Sequence, residues 1–286
     1  MSLNKLQIMN SQGNFLEMPF EDISTGFIVK EIEGLDPVKA TLTSTPFANL
    51  DGAQFQSSRR EPRNIVIHLE LRPDYALGSV KDLRDRLYDF FMPKSNIRLD
   101  LYTLNKFDLN PLTQTQDLTI DATVESLTSA LFTKEPTVDV SLMCYDPNFT
   151  DPTSVTITGL TGPDPLTLFY EGSVETGVIF HFLPNRSISS FQLLHEYWDA
   201  INNQTVVNSI TIAIDIVNGD AVTYTSTPEK KGVVLNHSGV VTPILYAMSV
   251  PFKWIELQPG YNYIWVQVPG DPVPYEIQYF KKYGGL

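Results

Sequence analysis

Four histidines, one cysteine and a short arginine run are the side chains with the most chemistry to offer. His68, His181, His195 and His237 are far apart, and none has a second metal ligand at a standard interval. The segment His195-Glu196-Tyr197-Trp198-Asp199 begins like a zinc-protease helix, but Asp199 stands where the second histidine is required. Zinc on a helix needs both imidazoles on one face, so no metal site is expected. Cys144 falls on the apolar side of an alternating segment and reads as a buried thiol, not a nucleophile. Asp215-Ile216-Val217-Asn218-Gly219-Asp220 starts like a calcium loop, yet Val217 occupies a ligand position. Asn218-Gly219 reads instead as the turn of a hairpin. There is no nucleophile elbow, phosphate loop or dinucleotide fingerprint, so no catalytic residue and no cofactor are expected.

Two groups remain as candidates for binding. Arg59-Arg60-Glu61-Pro62-Arg63 is the densest basic cluster. Arg59, Arg60 and Arg63 are candidate contacts to an acidic neighbouring subunit or to phosphate; the alternative is a solvated loop before a strand. Trp198, Trp254 and Trp265 stand among thirteen tyrosines. Trp198 and Trp254 are the candidate aromatics for sugar stacking or protein docking, with core or interface packing as the alternative.

Composition narrows the classes further. Of 286 residues, 33 are acidic and 20 basic, for a formal net charge of −13. That excess repels phosphate and anionic lipid, which argues against stable nucleic-acid binding and membrane insertion. No stretch reaches the ~20 apolar residues of a membrane helix, and Met1-Ser2-Leu3-Asn4-Lys5 lacks a secretory apolar run. With a single cysteine no internal disulfide is possible, so folding in a reducing cytoplasm is expected. The Asn-x-Ser/Thr matches at Asn148, Asn185, Asn203 and Asn236 then mark only polar loops.

The elements that must position these residues are strands. Ile65, Ile67, Leu69 and Leu71 alternate with Val66, His68 and Glu70. Ile97, Leu99 and Leu101 repeat the pattern, as do Leu118, Ile120, Ala122 and Val124, then Val138, Val140, Leu142 and Cys144. In the second half Ile210, Ile212, Ile214 and Ile216 form one row, Ile264, Val266 and Val268 another, and Tyr275, Ile277 and Tyr279 a third. Period two places each row on one side of a pleated sheet, and successive half-exposed strands predict sandwiches or barrels. One helix is expected, capped by Ser79 with Asp82 three residues on; Val80, Leu83, Leu87, Phe90 and Phe91 share its apolar face. Asp82 and Arg86 can pair on its wet face, and Pro93 ends it. A second helix or turn is expected over residues 190–200. Asp-Pro breaks over residues 146–152 read as a connector, giving domains 1–150 and 151–286.

The order of these features resembles the distal tail (baseplate hub) proteins of siphophages. The match runs through Asp51-Gly52-Ala53-Gln54-Phe55, Arg63-Asn64 and the following strand, the single helix with Pro93, and the segment Phe132-Thr133-Lys134-Glu135-Pro136-Thr137-Val138-Asp139-Val140. It continues through Cys144-Tyr145-Asp146-Pro147-Asn148-Phe149, Leu257-Gln258-Pro259-Gly260-Tyr261-Asn262 and the final Tyr283-Gly284-Gly285-Leu286. The resemblance implies a mainly β fold: an N-terminal ring-forming domain with one helix, and a C-terminal galectin-like or carbohydrate-binding-module-like β-sandwich. It implies a homo-hexameric ring in the virion tail tip, assembled in the host cytoplasm. Its partners would be the tail tube protein, the tail-tip hub and receptor-binding proteins. Sheet edges suit such a ring, where heterologous contacts join each copy to the next. An anionic wall also suits a channel for passing DNA. The rival readings are a lectin-like module for host-surface glycans and a polysaccharide-degrading tail enzyme.

Overall fold

The computed structural model describes residues 3–20, 22–47, 51–76, 78–104, 114–130, 136–228 and 230–286. Residues 132–135 of the family-like segment lie outside them. The chain divides into two compact units, Met1–Pro152 with Tyr283–Leu286, and Thr153–Lys282.

In chain order the first unit contains β1 (Leu3–Asn10), β2 (Phe15–Pro19), β3 (Phe27–Glu33), β4 (Ala40–Pro46), β5 (Ala53–Arg60), β6 (Arg63–Leu71), α1 (Val80–Phe91), β7 (Asn96–Leu104), β8 (Gln114–Ser129) and β9 (Thr137–Cys144). β10 (Phe149–Leu160) follows and spans the boundary between the units. Seven strands pair antiparallel in the order β2-β1-β7-β8-β9-β6-β3. Each expected apolar row lies on the inward face: Ile65, Ile67, Leu69 and Leu71 are at most 2% exposed, and Val138, Val140, Leu142 and Cys144 are fully covered. Burying one such aliphatic side chain stabilises the fold by roughly 1.5–3 kcal/mol.

Helix α1 closes this core with Leu87, Phe90 and Phe91. Its start is a complete capping box: the Ser79 Oγ accepts from the Asp82 N–H, and the Asp82 carboxylate accepts from the Ser79 N–H at 2.7 Å. Met92, held extended ahead of Pro93, ends it. The expected Asp82–Arg86 pair does not form. The cap engages the Asp82 carboxylate, Arg86 lies over the Phe27 ring at 5.7 Å, and the helix carries a Lys81–Asp85 pair instead.

β4 and β5 form a separate two-stranded ribbon. Every side chain of β5 is exposed, as are Leu42 at 68% and Phe55 at 62%. The base of the ribbon is held by Thr41 donating to the Glu61 carboxylate at 2.6 Å and by the Glu61 N–H donating to the Lys39 carbonyl.

The second unit continues with β11 (Leu166–Tyr170), β12 (Thr176–Phe182), β13 (Ile188–Asp199), β14 (Gln204–Ile216), β15 (Ala221–Thr225), β16 (Gly232–His237), β17 (Val240–Pro243), β18 (Glu256–Leu257), β19 (Gly260–Gln267) and β20 (Pro274–Tyr283). One sheet runs β11-β19-β13-β14; the other includes β17-β16-β15-β12-β20. Their inner faces share one core, in which Phe182 stacks on Phe191 at 4.4 Å and Phe180 meets Tyr275 at 5.5 Å. This unit is a β-sandwich.

Two expectations need correction. The expected helix or turn over residues 190–200 is strand for all but its last residue: residues 190–199 lie in β13, inside its sheet, and only Ala200 opens a turn. Leu193 pairs with Ile210 on one side and Val266 on the other, so ladder bonds on both edges and an inward row of Phe191, Leu193 and His195 decide the local structure. Asn218-Gly219 does turn, with Gly219 at φ 93°, but the strands it joins do not pair. β14 belongs to one sheet and β15 to the other, so the turn is an arch over the core. The C-terminal residues Tyr283–Leu286 cluster with the first unit, where the Leu286 N–H donates to the Leu35 carbonyl.

Candidate interaction surfaces

The basic cluster separates into two parts. Arg59 and Arg60 are exposed on β5, opposite Thr41 and Ala40. Arg63 is 1% exposed and is not available as a subunit contact. Its Nε donates to the Pro147 carbonyl at 2.7 Å, Nη1 to the carbonyls of Gly34 and Asp36, and Nη2 to the Gly284 carbonyl at 2.6 Å. The guanidinium also lies over the Phe149 ring at 4.4 Å. One side chain thus ties the chain after β3, the turn before β10 and the C-terminal tail together. Gly34 makes this approach possible: its φ is +85°, and a Cβ there would sit 2.0 Å from the Asn64 carbonyl oxygen. Composition gave no sign that the third arginine differs from the first two; the carbonyls that surround it come from residues 34, 36, 147 and 284.

The two candidate tryptophans are not brought together. Trp198 is 57% exposed on the outward side of β13. Trp254 is half-buried, tilted on Tyr224 at 5.4 Å and edge-on to Phe252 at 5.3 Å, so it is packed against the core of its unit. Trp198 has other aromatic company on its sheet. Tyr261, Tyr263 and Trp265 alternate along β19 with the buried Asn262 and Ile264. Phe169 on β11 stands opposite Tyr261, with ring centroids 5.0 Å apart. Glu196 lies opposite Tyr263. The period-two spacing of residues 261, 263 and 265 was readable, but their company with Phe169 and Trp198 depends on strand order.

Each histidine has its own partner. His195 is fully buried, with Nε2 2.9 Å from the Asn262 Oδ1, and burial holds its pKa below the usual value. On a strand, His195 and Glu196 point to opposite faces, so the zinc-protease geometry cannot form. His181 meets Thr223 at 3.0 Å and His237 meets Asp220 at 2.7 Å. Burial pushes the Cys144 thiol up to about 12, which leaves it protonated at neutral pH and unreactive.

Around His68 the structure gathers what sequence spacing could not show. Its Nδ1 is 2.7 Å from Asp139 on β9, and its Nε2 is 3.5 Å from Glu33 on β3. These two carboxylates, Asp139 first, raise its pKa. Glu31 joins the same cluster. One histidine and two glutamates thus converge through strand pairing, although His68 is distant from Glu31 and Glu33 in sequence.

No family model matches the chain, and no curated protein matches it. The likeness lies in solved structures. The crystal structure of the Dit protein of phage SPP1, a hub of the adsorption apparatus in phages infecting Gram-positive bacteria, is 16% identical and superposes over 97% of this chain and 98% of its own, with a TM-score of 0.66. The fold is that of Dit. Two structures of the phage P2 baseplate in its activated conformation also align. One, with calcium, is 9% identical with full coverage of both chains and a TM-score of 0.48. The other, with strontium, is 10% identical over 97% and 98% of the two chains, with a TM-score of 0.42. The SPP1 superposition carries the assignment: a Dit fold, mainly β, with one α-helix among the described residues.

Proposed function

We propose that the protein is a non-enzymatic structural subunit of a phage tail tip, in which six copies close a ring between the tail tube and the tail-tip hub. The Dit fold supports the tail-tip role. The observation that carries the ring is the β4–β5 ribbon. A lone two-stranded hairpin is at best marginally stable in water, and this one has no buried face of its own. Leu42 and Phe55 offer apolar surface to a neighbour. Arg59 and Arg60 add positive charge on a chain of net charge −13, so a second copy supplies the complementary surface. A ribbon on one copy meeting a different surface on the next is a heterologous contact, which closes into a ring when its rotation allows. Receptor-binding proteins would dock on the second unit, and the ring would sit in the virion after assembly in the host cytoplasm.

Light scattering of the purified protein should give the mass of six chains, and electron microscopy a six-fold annulus. The double substitution Leu42→Asp/Phe55→Asp should leave folded monomers. A wild-type protein that stays monomeric at every concentration, with no annulus, rejects the ring.

A second reading has its own support. The outward aromatics Trp198, Tyr261 and Phe169, beside Glu196, form a face suited to stacking and hydrogen bonding with a sugar. A glycan array should then show binding that Trp198→Ala removes and Trp254→Ala, on a packed residue, does not remove selectively. No signal above background leaves this face to protein docking.

A further inference from the structure

We infer that Glu31, Glu33 and His68 form a binding site for a divalent transition-metal ion of the zinc class on the first unit. One carboxylate oxygen from each glutamate and one imidazole nitrogen lie within 4.8 Å of one another. The register that builds this group is specific. β3 shifts by a residue between Val29 and Glu31, which sets Glu31 opposite His68; Glu33, two residues on, shares the face. Strand β9 sets Asp139 on the other side of His68.

The imidazole separates this group from an ordinary set of surface carboxylates. Asp139 stands 2.7 Å from Nδ1 and Glu33 stands 3.5 Å from Nε2, so a metal ion would displace the Nε2 proton while Asp139 keeps the Nδ1–H, and the freed lone pair would face the glutamates. A carboxylate behind a histidine is the usual outer support of a metal ligand: it sets the tautomer and makes the ligating nitrogen more basic. The nearby cations are already engaged: Lys30 on β3 and Arg72 just after β6 both pair with Glu70, and Arg63 on β6 donates to backbone carbonyls. One nitrogen and two carboxylates suit zinc or its first-row neighbours, whereas calcium takes about 6–8 oxygens. Zinc bonds of about 2.0–2.2 Å place tetrahedral ligands ~3.4 Å apart. The exposed glutamates need only close inward by rotamer changes, leaving further positions for water.

Such an ion would fasten β3 to β6, the strands that lead into and out of the β4–β5 ribbon. The test is calorimetric titration of the full chain, stripped with chelator, using zinc chloride. One saturable site per chain is expected, and the melting temperature should rise by about 5 °C at a hundredfold excess over Kd. His68→Ala should abolish the site, and Glu33→Gln, an exposed change that leaves the fold intact, should weaken it. Asp139→Asn should loosen binding by about ten- to a hundredfold. No saturable heat with the wild-type chain, or wild-type affinity in both His68→Ala and Glu33→Gln, overturns the site. Calcium binding more tightly than zinc overturns the choice of ion.

Discussion

The β4–β5 ribbon and strand β6 are neighbours in sequence and opposites in burial. Along β6 Ile65, Ile67, Leu69 and Leu71 alternate and disappear into the core; along β5 Ala53 and Phe55 are also paired in a ladder and stay exposed. Both are hydrogen-bonded strands. β6 has a second layer, built from the other strands and α1, against which to place its apolar row, and β5 has none within the described residues. Backbone pairing makes a strand, but only a facing layer makes it stable. A strand without that layer leaves its apolar side chains in solvent.

The comparison can be broken by substitutions on its two sides. Ile67→Ala on β6 should cost about 2–5 kcal/mol in chemical denaturation, because it opens a cavity in a fully buried site. Phe55→Ala on the ribbon should change the stability of the isolated chain by less than about 0.5 kcal/mol. Equal effects at the two positions would show that the ribbon packs within its own chain. The arginine run gives the next contrast. Arg63→Met should cost about 3 kcal/mol, since it removes a buried donor that ties the part-buried carbonyls of Gly34, Asp36, Pro147 and Gly284 together, whereas Arg59→Met should be near neutral.

Smaller effects sharpen the picture of the inward rows. His195 has a folded pKa below its ordinary 6.5 because it is buried. Above pH 6.5 both folded and unfolded states hold it neutral, and its contribution is fully present. As pH falls below 6.5 the unfolded chain takes up a proton that the folded chain resists, so stability declines. Subtracting a His195→Gln variant from the wild-type pH profile should isolate that decline; a contribution that grows toward acid would contradict the burial. Cys144, with its thiol raised to about 12, should resist a thiol reagent at pH 8 until denaturant is added.

Much of this fold was legible residue by residue. The rows at 65–71, 97–101, 118–124, 138–144 and 210–216 are strands because period two is set by the backbone itself. The helix was legible because Ser79, Asp82 and Pro93 act locally, through hydrogen bonds and sterics within one turn. The candidate sites were far less legible. Arg59, Arg60 and Arg63 look alike in sequence, and only the fold distinguishes the buried one. Trp198 and Trp254 look alike too, yet one lies on an open sheet face and the other on a core.

Local patterning thus determined that this protein is built from amphipathic strands with, among the described residues, one capped α-helix, because alternation, capping and proline sterics act between residues close in the chain. Tertiary structure alone decided which strands adjoin. That choice placed residues 190–199 inside a sheet, turned Asn218-Gly219 into an arch, surrounded Arg63 with carbonyls from residues 34, 36, 147 and 284, and set Glu31, Glu33 and Asp139 around His68. The physical reason is that strand pairing and burial join residues by distance in space, and no short-range rule specifies which distant segment will supply the partner.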